Sequence, residues 1–391
     1  MKASSILMQT GRSLRIGMMP GDGIGREVLP VAQRVLTAAP GAPKIDFIQL
    51  DAGFEHFQRT GTALPAKTVE TLRNECDAAM FGAVSSPSHK VEGYSSPIVQ
   101  LRKDLDLYAN IRPVIGPIMI GSDVHSPYDQ PVTSLAPGSM VQSPIDLVTV
   151  RENTECLYIK SETQQDTKHG KVAHAVRQIS EHASVRIGQK AFEIARARRI
   201  VRDHRGSRVK NHVTICHKSN VLSVTDGLFR SSVRSVYEKD LKENGGPGNY
   251  LGITLDEQLV DSMVYRLHRE PEAFDVIVAP NLYGDIVSDA AAAIVGSLGL
   301  VSSVNAGDKF IMGEPVHGSA PDIVGQNKAN PIAAVRSGAQ MLEYMGFTKA
   351  AVTIYQAVDA VLLQGEALTP DLPGGKGTTS QMEKALLEAL V

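Results

Sequence analysis

The sequence predicts an α/β protein built on a mostly parallel sheet that is flanked by helices. Short apolar runs that end at turn signals alternate along the chain with helical patterns. Strands that alternate with helices in this way form parallel sheets covered on both faces. The chain has 391 residues, of which 42% are apolar, so a substantial core can form. At about 150 residues per domain, this length indicates two or three domains, or one large unit with a lobe.

The first strand is predicted at residues 14–19, because this apolar run stops at Pro20-Gly21, and a helical pattern follows over residues 27–38. The same reasoning predicts later strands at residues 45–50, 78–84, 107–111, 145–150, 213–217 and 275–279. It predicts later helices at residues 69–75, 98–107, 181–199, 225–239, 256–269, 283–297, 330–344 and 350–363.

Two segments interrupt this alternation. Residues 116–144 are rich in Pro, Gly and Ser and show little periodicity, which predicts a long surface loop. Residues 171–179 alternate basic or polar residues with small apolar ones, which predicts an arm or hairpin strand that pairs with another subunit.

The charge balance argues against nucleic-acid and membrane partners. Forty basic and 42 acidic residues leave a formal net charge of −2, and generic binding to polyanions needs a basic excess. A basic run at residues 196–210 lacks aromatic residues, so we interpret it as a solvated helix end rather than a nucleic-acid patch. No apolar run reaches the roughly 18 residues that a membrane-spanning helix needs.

The cysteines and the N-terminal residues bear on the compartment. The three cysteines, Cys76, Cys156 and Cys216, form no CxxC pair, which fits a reducing compartment and predicts neither disulfides nor zinc. The first acidic residue is Asp22, and the preceding segment carries Lys, Arg and Ser, as short mitochondrial transit peptides do. We therefore expect a mitochondrial matrix or a cytoplasmic protein, the alternative for this segment being a frayed polar terminus.

The turn after the first strand reads Pro20-Gly21-Asp22-Gly23-Ile24-Gly25. Its spacing is G-x-G-x-G, which differs from the G-x-G-x-x-G of Rossmann dinucleotide sites. The glycines allow either a tight turn or the close approach of a ligand.

Arg102, Arg112 and Arg151 lie at or near strand ends, where open α/β sheets bind ligands. Because a guanidinium group matches a carboxylate with two parallel hydrogen bonds, three such residues suggest a substrate with two or three carboxylates. Surface ion pairing is the alternative for each.

Asp285 and Asp289 are four residues apart, which places both carboxylates on one face of a predicted helix. Their apolar neighbours disfavour a solvated acidic face. A cation between two close carboxylates relieves their repulsion, and an oxygen-only ligand set indicates Mg²⁺ or Mn²⁺. Capping of the helix N-terminus is the alternative.

A Gly-, Pro- and Ser-rich loop over residues 313–330 suggests an adenine or phosphate clamp, and an Asp there favours NAD over NADP.

These motifs occur together, and in this order, in the β-decarboxylating dehydrogenases of isocitrate, 3-isopropylmalate, tartrate and homoisocitrate, which residues 14–390 resemble except at 116–144. The stretches 91–99, 260–267 and 279–285 most resemble the fungal homoisocitrate branch of lysine biosynthesis. The resemblance implies a two-domain isocitrate/isopropylmalate dehydrogenase-like fold that is not a Rossmann fold. It places a large cofactor domain at residues 1–107 and 296–391. A small domain at residues 108–295 carries the clasp arm and the interface of a homodimer or higher homo-oligomer.

The resemblance also implies roles for individual residues. Tyr158 is the general acid and Lys218 the general base, Lys218 being supplied by the partner subunit together with Asp261, a third metal ligand beside Asp285 and Asp289. The residues implied to bind substrate are Arg102, Arg112, Arg151 and Asn220, with Ser86, Ser95, Ser96, Ile98 and Val99 reading the variable substituent. The residues implied to bind NAD are Ile24, Glu314, His317, Gly318, Ser319, Ala320, Asp322, Ile323 and Asn330.

The activity implied is the NAD-dependent and metal-dependent oxidative decarboxylation of homoisocitrate, a tricarboxylate, to 2-oxoadipate. Isocitrate and 3-isopropylmalate are the alternative substrates. One position differs from isocitrate dehydrogenases: Cys156 stands where they carry glycine, two residues before Tyr158. Its thiol either packs without chemical consequence or makes activity sensitive to oxidation.

Overall fold

The computed structural model describes residues 12–87, 89, 91–116, 145–204, 211–243 and 248–391, with the backbone alone at residues 200–204. Three predicted features fall wholly or largely outside these ranges: the N-terminal targeting segment, the loop at 116–144, and the end of the basic run at 196–210.

The strands follow one another in the order predicted, with additions. They are β1 (Leu14–Gly21), β2 (Ile45–Gln49), β3 (Ala78–Ala83), β4 (Ala109–Gly116), β5 (Ile145–Glu152), β6 (Glu162–Thr167), β7 (Gly170–Ala175), β8 (His212–His217), β9 (Thr254–Leu259), β10 (Val276–Ala279), β11 (Val304–Ala306) and β12 (Ile311–Gly313).

The helices also alternate with the strands. They are α1 (Gly25–Ala38), α2 (Phe54–Thr60), α3 (Ala66–Glu75), α4 (Pro97–Asp104), α5 (Glu181–His204), α6 (Thr225–Glu243), α7 (Val260–Arg269), α8 (Asn281–Ile294), α9 (Ile332–Tyr344), α10 (Thr348–Gln364) and α11 (Thr379–Glu388). None of these helices has the length and apolar character that crossing a lipid bilayer requires.

The described residues form two compact units. One contains residues 12–107, 115–116 and 292–391, and its strands lie in the order β2-β1-β3-β12-β11. Here β1 runs parallel to β2 and β3, β12 runs parallel to β3, and β11 is antiparallel to β12. Its core includes Met19, Leu72 and Phe81, which are fully buried.

The other unit contains residues 108–114 and 145–291, with strands in the order β4-β5-β10-β8-β9. Strand β10 is parallel to β5 and β8, and β9 is parallel to β8. The predicted α/β class with a mostly parallel sheet and flanking helices is therefore confirmed. The cofactor and dimerisation roles assigned to the two predicted domains stay predictions.

The predicted helix at 256–269 is wrong over its first four residues, which belong to β9. Asp256 and Glu257 are less typical of strands, but the backbone of residues 256–259 pairs in parallel with β8, and α7 begins only at Val260. Helix α11 was not predicted, although Thr378 and Gln381 form a capping box that marks its start.

An exposed hairpin projects from the second unit. Strands β6 and β7 pair antiparallel, from Glu162 opposite Ala175 to Thr167 opposite Gly170, and every one of their residues is exposed. The predicted hairpin strand at 171–179 is thus confirmed over residues 171–175, residues 176–179 lie beyond the end of β7, and its pairing with another subunit stays a prediction.

Candidate functional site

The two predicted metal carboxylates lie on helix α8. This helix follows β10, whose last residue, Ala279, stands opposite Arg151 on β5. Asp285 and Asp289 are the fifth and ninth residues of the helix, beyond its first turn, so the alternative that they cap its N-terminus is wrong. Their side chains are 32% and 56% exposed.

Arg151 binds the start of this helix. Its side chain is only 2% exposed, and its Nε and one terminal nitrogen donate to the Asn281 side-chain oxygen at 3.0 and 2.8 Å. The other terminal nitrogen donates to Asp285 Oδ1. Because the strand places this guanidinium inside the protein, the surface ion-pair alternative is wrong for Arg151.

Arg112, on β4, contacts both carboxylates. One terminal nitrogen donates to Asp289 Oδ1 at 2.9 Å and to Ser288 Oγ at 2.8 Å, and the other lies 3.4 Å from Asp285 Oδ1. Asn110 holds its Nε at 2.7 Å. Two buried cations therefore balance two carboxylates. Burial raises the pKa of Asp289, and the Arg112 charge opposes that shift.

Gly284 lets the helix approach Arg151. A Cβ atom at this position would lie 2.6 Å from Arg151 Cγ and 2.7 Å from its Cβ, closer than real side chains pack. Glycine is therefore required at this position by the neighbouring Arg151 side chain, and not by the helix itself.

We expect Gly284→Ala to displace the Arg151 side chain and to lower kcat/KM about tenfold or more, since small misplacements of catalytic groups are costly. Steady-state kinetics and thermal unfolding test this. Gly227→Ala on α6 is the control, because a Cβ there would meet nothing within 4 Å. Equal kinetics for the two variants would contradict the expectation.

Tyr158 joins the same cluster. Its hydroxyl donates to Asp285 Oδ2 at 2.6 Å, and its ring centroid lies 5.1 Å from the Arg151 guanidinium carbon. The loop before it turns around Glu152, which accepts from Thr154 and Glu155 backbone nitrogens at 2.9 Å each. The structure thus brings together Arg112, Arg151, Tyr158, Asp285 and Asp289, all of them predicted site residues.

Cys156 is buried within this loop. Its side chain has no exposed surface, and its φ of 68° with ψ of −144° is a conformation that glycine adopts far more easily. The position therefore suits the glycine of isocitrate dehydrogenases, and the thiol packs inside the protein.

We expect iodoacetamide to leave Cys156 and Cys216 unmodified in the native protein, because both are fully buried. Cys76 is half-buried, and burial raises its pKa to about 11, so its thiolate is scarce and its reaction slow. Peptide mass spectrometry and residual activity check this, with urea-unfolded protein as the control. Loss of activity in proportion to Cys156 modification would support the oxidation-sensitive alternative.

Lys218 follows β8 and is paired with Asp261, the second residue of α7. The Nζ–Oδ1 distance is 2.6 Å, and the side chains are 24% and 65% exposed. This hydrogen bond lowers the pKa of Asp261. Asn220 lies two residues beyond Lys218 and is exposed.

Within the described part of the chain, no three acidic, histidine or cysteine side chains form a metal-binding group. Asp261 is therefore not gathered with Asp285 and Asp289.

The carboxylate pair nevertheless fits a hard divalent cation. Asp285 and Asp289 are partly exposed oxygen donors on one helix face, and Mg²⁺ is commonly held by one or two carboxylates with water and substrate completing its shell. A cation bound there would compete with Arg112 for both carboxylates and would release that guanidinium for another anion.

In the first unit, Arg102 on α4 is 7% exposed and donates to Glu314 Oε2 at 3.1 Å, where Asn305 also donates. The Nε of Arg102 is buried and forms no hydrogen bond with the described residues. An orphaned buried donor of this kind calls for an acceptor. The surface ion-pair alternative is therefore wrong for Arg102 as well.

The predicted specificity residues are placed differently from one another. Ser86 and Ser95 are exposed, Ser96 stands at the start of α4, and Val99 is partly buried against the core. Ile98 is 6% exposed and packs within that core. Its side chain therefore contributes to the core, and its predicted role in reading the substrate stays a prediction.

Two of the predicted cofactor residues meet at the glycine turn. Ile24 N donates to Ser319 O at 2.9 Å, and Ser85 Oγ donates to Ser319 Oγ at the same distance. A Cβ on Gly23 would lie 2.1 Å from Ser319 O. Gly23 also has a φ of 55°, a conformation that suits the tight-turn interpretation, and the approach of a ligand to this turn stays a prediction.

The other predicted cofactor residues have separate surroundings. His317 Nδ1 contacts Gly318 O at 3.0 Å, and burial lowers the pKa of the imidazole. Ala320 has a φ of 39° and accepts from Ile323 N at 3.2 Å. Asp322 is exposed. Asn330 donates to Asp371 Oδ2 at 3.0 Å and accepts from Ile332 N at 3.0 Å, which are structural contacts at the start of α9.

Sequence reasoning missed the neutral partners of the arginines. Asn281, Asn110 and Ser288 orient Arg151 and Arg112, although nothing in their residue type distinguishes them. The available signals were positional: Asn281 begins a helix directly after a buried strand, and Asn110 is two residues from Arg112 on the same strand face.

Known proteins share this architecture. Residues 15–386 match the family described as isocitrate/isopropylmalate dehydrogenase. A Thermus thermophilus protein named isocitrate/homoisocitrate dehydrogenase is 43% identical over 376 residues, which cover 96% of this chain and 98% of the relative. A Methanocaldococcus jannaschii protein named 3-isopropylmalate/3-methylmalate dehydrogenase is 41% identical, covering 95% of this chain and 97% of its own.

Solved structures agree with the sequence relatives. The crystal structure of isocitrate dehydrogenase from Methylococcus capsulatus superposes with a TM-score of 0.81 at 33% identity, covering 96% of this chain and 99% of that one. Both kinds of comparison extend over nearly the whole chain. The protein therefore belongs to the isocitrate/isopropylmalate dehydrogenase family, whose members are oxidative decarboxylases.

Proposed function

We propose that this protein catalyses the NAD-dependent and divalent-metal-dependent oxidative decarboxylation of homoisocitrate to 2-oxoadipate, the reaction of the homoisocitrate branch of its family. The observation that carries the proposal is the cluster on α8. There Arg112 and Arg151 are buried beside Asp285, and Tyr158 donates a hydrogen bond to the same carboxylate. Guanidinium groups held in place by neutral side chains suit a substrate that carries several carboxylates.

In this proposal, Arg102, Arg112 and Arg151 hold the substrate carboxylates. Asp285 and Asp289 hold Mg²⁺ or Mn²⁺, with Asp261 contributed by a second subunit. When bound, NAD⁺ accepts the hydride and the cation acts as a Lewis acid at the hydroxyl and carboxylate oxygens.

The chain itself moves two protons. Lys218 takes the hydroxyl proton as the alcohol is oxidised. The bond to the departing carboxylate then breaks, CO₂ leaves, and Tyr158 delivers its phenolic proton to the carbon left behind. The hydrogen bond from Tyr158 to Asp285 already fixes the ring and its hydroxyl in the cluster.

The choice of homoisocitrate rests on the residues around α4. An isopropyl group would need an apolar surface, but Ile98 packs within the core, which leaves Val99 as the partly exposed apolar candidate. The exposed hydroxyls of Ser86 and Ser95 suit a polar, charged substituent better. The Thermus relative is named for isocitrate and homoisocitrate alike, which supports a charged substituent over an isopropyl group.

We also propose NAD as the cofactor, a homodimer as the assembly and the mitochondrial matrix as the compartment. An exposed Asp322 in the loop with His317 would accept hydrogen bonds from an adenosine ribose and repel a 2′-phosphate, which favours NAD. The exposed β6–β7 hairpin supports a homodimer in which each copy covers the hairpin of the other. The basic, serine-containing N-terminal sequence supports the mitochondrial matrix rather than the cytoplasm.

The test is NADH formation by purified protein with Mg²⁺, comparing kcat/KM for homoisocitrate, isocitrate and 3-isopropylmalate. We expect homoisocitrate to lead by about tenfold or more, a transition-state preference of about 1.4 kcal/mol. A lead by either of the others would reject the substrate and keep the reaction. No turnover of any of the three, with metal and NAD⁺ present, would reject the proposed activity, and faster turnover with NADP⁺ would reject the cofactor.

A further inference from the structure

The residues directly after the hairpin contact the loop that carries Tyr158. We name residues 176–180 the root segment. Gln178 O accepts from Cys156 N at 2.9 Å, and Glu155 Oε2 accepts from Ser180 N at 2.7 Å. The root segment therefore fixes the backbone two residues before the candidate general acid.

Within the root segment, Arg177 reaches the turn that carries Lys218. One of its terminal nitrogens lies 2.9 Å from Asp226 Oδ1, and Asp226 Oδ2 accepts from the backbone nitrogen of Lys218 at 2.6 Å. The Asp226 side chain has no exposed surface and that of Arg177 is 13% exposed. The Arg177 charge and the Lys218 backbone donor both lie beside this buried carboxylate, and a buried charge needs such neighbours.

Arg177 also holds the start of α8. Its other terminal nitrogen donates to Tyr283 Oη at 2.8 Å, and its guanidinium carbon lies 4.4 Å from the Tyr283 ring centroid. Tyr283 is two residues before Asp285. The planar Arg177 side chain thus contacts both Asp226, which accepts from the Lys218 backbone, and α8, which carries the proposed metal carboxylates.

We infer that Arg177 is a positioning residue for the reaction. Through Asp226 it holds the Lys218 turn, which serves the partner's site in the proposed homodimer, and through Tyr283 it holds the start of α8 in the chain's own site. This inference rests on the proposed function. Arg177 acts through Asp226 and Tyr283, and the residues assigned to substrate carboxylates are Arg102, Arg112 and Arg151. Its loss should therefore lower turnover more than it changes substrate affinity.

The experiment compares Arg177→Met and Arg177→Lys with wild type, on whichever of the three malates the wild type turns over fastest, at saturating metal and NAD⁺. We expect Arg177→Met to lower kcat about tenfold or more and to leave KM within about twofold, because a displaced base costs turnover. Arg177→Lys should recover part of kcat, since an ammonium group still pairs with Asp226 but lacks the planar fork that also reaches Tyr283.

Arg336→Met is the matched control. Arg336 is 12% exposed and donates to Asp359 Oδ1 at 2.9 Å in the first unit, so its removal breaks a comparable ion pair that does not belong to the unit carrying Lys218. It should lower the unfolding temperature while leaving the kcat of the folded enzyme unchanged. A kcat for Arg177→Met within twofold of wild type, or an equal loss in Arg336→Met, would overturn the inference.

Two further readouts keep the test decisive. Hydrogen exchange of peptides that contain Lys218 and Tyr283 should accelerate in Arg177→Met but not in Arg336→Met, and this holds whether or not any malate is turned over. Where Arg177→Met does not fold, Tyr283→Phe removes only the hydroxyl acceptor and retains the ring. It should lower kcat at unchanged unfolding temperature, and an unchanged kcat would count against Arg177. The proposed function is tested separately, by whether the wild-type protein turns over any of the three malates.

Discussion

Lys218→Met is expected to lower kcat by about 10² to 10⁴-fold, the range that a positioned general base contributes. Methionine keeps most of the side-chain length and removes the amine. The fold should tolerate the change, because the partner lost is Asp261, whose side chain is 65% exposed and can be hydrated. Steady-state kinetics with homoisocitrate, together with thermal unfolding, measure the effect.

Lys239→Met is the matched control for this variant. Lys239 lies on α6, is 74% exposed, and pairs with Glu243 at 3.8 Å, so the control also removes an exposed ion pair. Its kcat should equal that of wild type. A Lys218→Met enzyme with at least half of the wild-type kcat would exclude Lys218 as the base.

A mixing experiment tests where the base comes from. Lys218→Met and Tyr158→Phe subunits are each expected to be inactive. If Lys218 serves the partner's site, a reassembled heterodimer contains one site with both groups intact, and activity returns on mixing. If each chain serves its own site, both sites of the heterodimer stay damaged and no activity returns.

Asp289→Asn is expected to raise the Mg²⁺ or Mn²⁺ concentration needed for half-maximal activity about 100-fold, since affinity for hard cations follows the charge of the ligands. Asparagine keeps the shape and one oxygen acceptor for Arg112. Asp289 is 56% exposed and is the more accessible member of the pair, so the fold should persist. Direct Mn²⁺ titration, without substrate, should show the same loss.

Glu243→Gln is the control for the metal experiment, because Glu243 is 66% exposed and remote from α8 in sequence. It should leave the metal requirement unchanged, and chelation should abolish the activity of both wild type and control until metal is restored. An Asp289→Asn enzyme with the wild-type metal requirement would remove Asp289 from the proposed ligand set.

Much of the fold was predictable from local pattern. The strands around residues 14–21 and 276–279 are buried apolar runs, and such runs can be recognised without knowing their neighbours. The first residues of β9 could not be assigned in this way. Their strand conformation depends on pairing with β8, about forty positions away, and that pairing overrides a local preference for helix.

The carboxylates of the candidate site were predictable from the sequence, but the residues that hold the site in place were not. The spacing of Asp285 and Asp289 places them on one helix face by geometry alone. Asn281 orients Arg151 from 130 positions away, and Arg177 is separated from Tyr283 by 106. Local spacing says nothing about such partners, because the topology of the sheet brings them together. The burial of Ile98 likewise follows from the core around α4.

The exposed β6–β7 hairpin has a consequence for how the protein is degraded by proteases. A two-stranded ribbon with every side chain in water is marginally stable, and its tip at residues 168–169 is the kind of site that proteases cleave first. In the proposed homodimer, a subunit separated from its partner would be cleaved there, whereas a hairpin covered by the partner would be protected. The root segment continues directly from this hairpin and contacts both the Tyr158 loop and the Lys218 turn. A single cleavage in the hairpin would therefore weaken the support of both at once.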